Sequence, residues 1–575
     1  MASSLATAES PTTHRRASIA VAAIVALVYA RGLGSEFVYD DLALIVQNPS
    51  LHDPTDVFGL WSRPLWGEQL GHWRPLTAQL LAIGWWLAQG SAVGIHALSL
   101  LLHVSAFFGA VRLCRELDLA PAAALGAALP FALHPCNAEA VAWAAALNDV
   151  LGGTCAIHGL AYHLGWRRTG ERRSRALALL FAALAMLSKE SFAVVPLLYL
   201  ASDLALRRSV SSSWRAAVAP LVLVLLWLIA RMLVFGELTA GFGRTTFAQP
   251  GSELGNAAAV AGGLLQHLLW PVGLGMFEPL ALSPGALLHT ATTLLAVGIA
   301  WRRREPALRL ASLLVAASVV PPMLTVPNLG PYPIADRYLY LATLGLALAF
   351  AQVLGSERRG RVLLVVFVAL PWATATFLRL PLWRDQATFV ERSLAQQPMD
   401  PRLHYMHGAV LLERAERGTS GAAAAAAEAF ARARSLLGND LRRRDHQRQL
   451  RRDVAIALAW CTMREPSADG MPDWLRVERE FLVVTQEWPD AADGFVGLGV
   501  ARAASGRLPL AELDLRRAIA IDPGTSAAHH NLARVLYARG DKSGAKEHLL
   551  LAVSIRSDDL ASRALLEQLE REGVR

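Results

Sequence analysis

Several short segments combine acids and bases at places where long apolar runs begin or end: Tyr39-Asp40-Asp41, His134-Pro135 with Glu139, Asn148-Asp149, Lys189-Glu190 and Asp336-Arg337. A carboxylate can take a proton from a hydroxyl, and Arg or Lys can hold an anion by charge-assisted hydrogen bonds. Ionised groups near a membrane boundary are costly, with about 2.5–3.5 kcal/mol for a central Asp, Lys or Arg on insertion scales. A convergent set at one face therefore points to a hydrated site. Each residue also has a structural reading. Asp40 and Asp41 can cap a helix or face solvent, Lys189 and Glu190 can be a snorkelled pair, and Asp336 and Arg337 a structural pair. His134 can be a turn residue, Glu139 a cap, and His96 and His103 core-facing.

The elements that must position these residues are membrane helices. Of 575 residues, 54% are hydrophobic and only 18% charged, with mean hydropathy +0.34. That balance argues against an ordinary soluble enzyme. Charge is sparse before about Leu380 and dense after it, which predicts a membrane domain over 1–380 and a soluble one over 381–575. The +8 net charge resides largely in short Arg clusters between apolar runs, so topology explains it better than nucleic acid. The four cysteines have no CxxC spacing and indicate neither a metal site nor a disulfide framework.

About eleven spans are expected: 17–33, 91–113, 120–133, 138–164, 176–187, 192–206, 216–235, 286–301, 308–324, 338–354 and 362–378. With Arg15 and Arg16 inside, every basic cluster from Arg112 and Arg115 through Arg167–Arg175, Arg207–Arg215 and Arg302–Arg309 to Arg358–Arg361 falls on the cytoplasmic side. Two shorter stretches, 76–90 and 257–270, read as helices lying at the outer interface or re-entering it. A cleaved signal peptide ending near Ala30 is the alternative for the N-terminus, although the apolar run continues past that residue. On this topology the acidic and basic segments named above share the outer side with the C-terminal domain. That domain carries a 34-residue period: Leu498, Gly499, Gly506, Ala511, Leu515 and Ala518 return as Leu532, Ala533, Gly540, Ala545, Leu549 and Ala552. Three or four helix-turn-helix repeats are predicted.

Taken in order, Tyr39-Asp40-Asp41, His72-Trp73-Arg74-Pro75-Leu76, His96 and His103, His134-Pro135 with Glu139, Asn148-Asp149-Val150-Leu151, Leu187-Ser188-Lys189-Glu190 and Asp336-Arg337-Tyr338-Leu339-Tyr340 resemble the transmembrane and tetratricopeptide repeat-containing glycosyltransferases of the GT-C membrane class, related to protein O-mannosyltransferases. The resemblance implies an all-α fold with a GT-C-like polytopic domain followed by an α-solenoid. It implies sugar transfer, with mannose as the family's sugar, from a polyprenyl-phosphate carrier on the outer face. Asp40 would be the base, and Asp41 would bind acceptor, sugar or a cation. Direct attack on the anomeric carbon would invert configuration. The leaving phosphate calls for positive charge, for which Arg74, Lys189, Arg244 and Arg337 are candidates, with His134, Glu139, Asp149, Glu190 and Asp336 completing the site. No protein cofactor or metal is required by the sequence, and a divalent cation is an option. Two positions depart from the family pattern, Leu147 where an Arg is expected and Asn137 where a basic residue or His is expected. Expected partners are the lipid-linked donor, membrane lipids and a protein acceptor or partner bound by the repeats, with no nucleic acid. The composition favours a bacterial inner (cytoplasmic) membrane. The competing reading is a non-catalytic membrane scaffold that recruits envelope proteins.

Overall fold

The computed structural model describes the chain except residues 1–10, 66–71, 237–251, 304, 327–328, 331, 355–357, 438–443, 466–470, 557–558 and 575; Arg244 lies outside the described residues. Every regular element among the described residues is helical. The chain divides into two compact units, Met1–Gln396 and Gln397–Arg575. Residues 381–396, expected in the second domain, pack in the first, where Trp383, Phe389 and Val390 are buried.

In the first unit helices lie at each expected span, but among the described residues five are long and apolar enough to cross a membrane: Val93–Glu116, Val210–Phe235, Pro284–Arg303, Pro306–Leu324 and Val362–Trp383. Others are short. Pro121–Leu133 has 13 residues, and at 1.5 Å per residue it covers about two thirds of a ~30 Å hydrocarbon core. The expected span 138–164 is not continuous. It is split into Asn137–Ala142, a 3-10 turn Ala144–Ala146 and Leu147–Thr169, with Trp143 in extended conformation between them. Asn148 and Asp149 consequently stand in the first turn of a helix rather than inside one.

Small residues let the helices of this unit approach closely. A Cβ on Gly152 would lie 2.2 Å from the Phe192 ring, and one on Gly153 would lie 2.3 Å from the Tyr340 ring. Tyr340 in turn donates its hydroxyl to, or accepts from, His103 Nδ1 at 2.7 Å, while His103 Nε2 lies 2.9 Å from the Ala132 carbonyl. His103 is thus a satisfied core residue joining three helices.

The second unit is a succession of helix pairs: Pro401–Glu416 with Ala422–Leu437, Arg444–Thr462 with Trp474–Glu487, Ala492–Ala504 with Leu508–Ile521 and Ser526–Ala538 with Lys542–Ile555, followed by Leu560–Arg571. The periodic positions perform the expected packing. Ala511, Leu515, Ala518, Leu532, Ala533, Ala545, Leu549 and Ala552 are fully buried. A Cβ on Gly499 would meet Leu515 at 2.7 Å, and Gly506 and Gly540 close their turns at φ 77° and 89°. This is a tetratricopeptide-type repeat array.

Candidate active site

After the Pro11–Ala30 helix the chain runs extended to Val38, then turns sharply at Tyr39, whose φ is 55°. Tyr39 N–H donates to Gln386 Oε1 at 2.8 Å, and its ring packs on Phe277, Phe389 and Trp143 with centroids 5.3, 5.7 and 6.1 Å away. The turn starts a helical segment at Asp40, so the two neighbouring carboxylates diverge. Asp41 is fully buried. Its Oδ2 accepts from Val38 N–H at 3.0 Å and its Oδ1 from Ala145 N–H at 2.7 Å. Burial pushes its carboxyl up to about 8, against the pull of these two amides. Asp41 therefore anchors the loop to the break near Trp143, whereas Asp40 is only partly buried.

Three of the four cations expected to hold phosphate, Arg74, Lys189 and Arg337, come together. Arg74, at the start of Pro75–Leu87, forms a bidentate pair with Glu190, at 2.8 Å from Nε to Oε2 and 2.5 Å from Nη2 to Oε1. His72 Nδ1 lies 3.1 Å from the same carboxylate. Burial acts to raise the Glu190 carboxyl, but Arg74 and His72 hold it well below the usual range. Lys189 Nζ pairs with Asp149 Oδ1 at 2.6 Å. Burial lowers the Lys189 ammonium, aided by Arg74 and Arg337 and opposed by Asp149. Lys189 and Arg337 both lie 5.0 Å from the centre of the Tyr338 ring, and Arg337 is also 5.0 Å from the Trp143 ring. One indole thus separates the acidic loop from the cation cluster. Thr77 Oγ1 donates to the Ser188 carbonyl at 2.8 Å, which fixes the two loops carrying Arg74 and Lys189 against each other.

A second group adjoins the first. Arg337 pairs with Glu139 Oε1, whose Oε2 accepts Asp336 N–H at 3.0 Å. Asp336 is fully buried between His267 Nδ1 at 2.6 Å and Arg379 Nη2 at 2.5 Å. His267 Nε2 reaches Glu278 Oε2 at 2.9 Å. His134 stands apart from the cations, with Nε2 3.1 Å from the Leu268 carbonyl and Nδ1 accepting Cys136 N–H at 3.2 Å. It braces its turn, as its position before Pro135 allowed. Glu139, Asp149, Glu190 and Asp336 each occupy the first turn of a helix, where the backbone dipole favours negative charge. Among the described residues no three His, Cys, Asp or Glu side chains gather to hold a metal ion.

Sequence reasoning missed His267, Glu278, Arg379 and Arg231 as members of this region. Arg231 is buried inside Val210–Phe235, packed against Trp227 and Phe235. Trp227 shares a core cluster with Trp73 and Met186, next to Arg74 and Lys189. A lone Arg in so apolar a run was the available signal.

No family model matches the chain. Among curated proteins it is 32% identical to human protein O-mannosyl-transferase TMTC4 over 204 residues, covering 30% of this chain and 27% of that protein. It is 24% identical to a protein O-mannosyl-transferase of Caenorhabditis elegans over 422 residues, 67% of this chain and 58% of the other. The matched part is therefore under two thirds of these relatives' own length. Among solved structures, the tetratricopeptide-repeat protein TTC0263 of Thermus thermophilus aligns at 19% identity and TM-score 0.25, over 36% of this chain and 95% of its own. The repeat protein YrrB aligns at 14% identity and TM-score 0.22, over 32% of this chain and 81% of its own. With apolar helices first and repeats after them, the chain is a multi-pass membrane protein similar to the transmembrane and tetratricopeptide repeat-containing protein O-mannosyl-transferases.

Proposed function

We propose that the chain is a GT-C-type membrane glycosyltransferase that moves a sugar, mannose by the names of its relatives, from a polyprenyl-phosphate carrier to a hydroxyl acceptor. The observation that carries this reading is the convergence of Lys189 and Arg337 on the Tyr338 ring, with Arg74 close enough to act on the same phenol by its charge, one indole away from the Asp40 loop. Asp40 takes the proton of the acceptor hydroxyl as that oxygen attacks the anomeric carbon. The carrier phosphate leaves toward the three cations, which stabilise the charge it gains. Single displacement inverts the anomeric configuration. Asp41 holds the loop, and Glu139, Asp149 and Glu190 hold the cations in place until the phosphate arrives. The site faces the outside of a bacterial inner membrane, where the repeats bind a protein acceptor or partner.

The test is transfer from a panel of radiolabelled polyprenyl-phosphate sugars by the reconstituted full chain. Asp40→Asn is expected to lower transfer by about 10²–10⁴-fold while membrane insertion and melting temperature stay unchanged. The reading fails if wild type transfers none of the sugars, or if Asp40→Asn transfers normally. One observation favours a scaffold instead: Arg74, Lys189 and Arg337 each have a carboxylate partner, as in a purely structural network. A scaffold would capture envelope proteins equally well as wild type or as Asp40→Asn, and neither form would transfer sugar.

A further inference from the structure

His267 is 4% exposed, yet both of its ring nitrogens face carboxylates, Asp336 at 2.6 Å and Glu278 at 2.9 Å. An imidazole can donate from both nitrogens only as the imidazolium, so two ionised partners hold it charged. Asp336 uses its other oxygen for Arg379, which also donates to the Pro135 carbonyl at 3.0 Å. The two carboxylates and two cations form a closed, neutral chain from buried Arg379 to Glu278, whose side chain is 24% exposed.

Asp336 is covalently next to Arg337, within the single 3-10 turn Asp336–Leu339. Glu139 grips both, taking the Asp336 N–H with one oxygen and the Arg337 guanidinium with the other. The direction in which Asp336 is held therefore fixes where the Arg337 side chain starts. We infer that His267, clamped as a cation between Asp336 and Glu278, is a positioning residue that aims Arg337 at the phosphate of a lipid-linked substrate, with Glu278 as the solvent-facing end of the clamp. This inference rests on the phosphate role proposed above for Arg337.

The charged or titratable groups around the imidazole are Asp336, Glu278 and, behind them, Arg379, Glu139, His134 and Cys136. Burial works to lower the His267 ring, but Asp336 and Glu278 raise it to about 10. Removing the Glu278 charge leaves one carboxylate, so the ring then loses its proton nearer neutrality.

The experiment measures binding of a fluorescent polyprenyl monophosphate to the full chain in nanodiscs from pH 6 to 9, each variant being compared with wild type at the same pH. Arg337→Gln is expected to weaken binding about tenfold at every pH. His267→Gln should weaken it similarly, and the double variant should be no weaker than Arg337→Gln alone. Glu278→Gln alters a partly exposed side chain and is the deciding variant. It should match wild type at pH 6 and fall progressively below it toward pH 9. Glu278→Gln tracking wild type across the range, with Arg337→Gln weakened, overturns the clamp and leaves the role of Arg337 standing. Normal binding by Arg337→Gln, or none by wild type, overturns the phosphate reading and the clamp together.

Discussion

Tyr39 stores the local strain of the first loop. A left-handed backbone is uncommon for a bulky residue, and it persists here because Gln386, Phe277, Phe389 and Trp143 surround the side chain and amide. What the strain achieves is a direction: Asp41 turns into the protein while Asp40 stays accessible. Asp41→Asn keeps one acceptor oxygen but aims an NH2 group at the other backbone amide, at a cost of about 1–3 kcal/mol. A lower melting temperature in detergent near pH 4 checks it. The pH dependence has a defined sign. Because the folded carboxyl is raised to about 8, the wild-type fold binds an extra proton between about pH 4 and 8 and loses stability as pH rises through that window. The Asn variant lacks this loss, which at about 1.4 kcal/mol per pH unit exceeds the cost of the substitution, so the difference in melting temperature should narrow as pH rises and reverse toward pH 8. Asp336 has the opposite sign: burial would raise it, but Arg379 and His267 lower it to about 2, so its contribution is present above about pH 4 and lost as pH falls toward 2.

At the scale of elements, the helix Leu147–Thr169 depends on glycine. Gly152→Ala drives a methyl group into the Phe192 ring, and overpacking of this kind costs about 1–3 kcal/mol. The expected result is a lower melting temperature, with expression of the repeats unaffected. The positions of the helices were readable because charge vanishes and returns at their ends. The break at Trp143 was not. Ala140–Ala146 is almost entirely Ala with Val and Trp, a composition that favours a continuous helix. The interruption is sustained instead by Asp41, more than a hundred residues earlier, taking the Ala145 amide. The cations Lys189 and Arg337 were legible because each adjoins an acid at a helix end, and Arg74 because it stands in the His72-Trp73-Arg74-Pro75-Leu76 motif. Glu278 and Arg379 were not, because their significance comes from His267 and Asp336, which no local spacing links to them.

At the scale of the molecule, the reading requires the first loop and the repeats to share one side of the membrane. All four native cysteines are buried, so introduced ones can be labelled selectively. Pro54→Cys and Glu570→Cys, both at exposed positions, should react with an impermeant maleimide from the non-cytoplasmic side. Labelling from opposite sides would dismantle the outer-face assignment. The repeat unit offers an independent check: Gly497→Ala forces a Cβ into Phe481 and should melt that unit at lower temperature without altering binding of polyprenyl phosphate.

The interrupted segment Asn137–Thr169 also bears on biogenesis. Where the helix is broken, an amide needs an oxygen from elsewhere, and lipid offers none. For Ala145 that oxygen belongs to Asp41. Since the loop of residues 37–41 is synthesised first, the segment is expected to settle at its final depth only by docking against it.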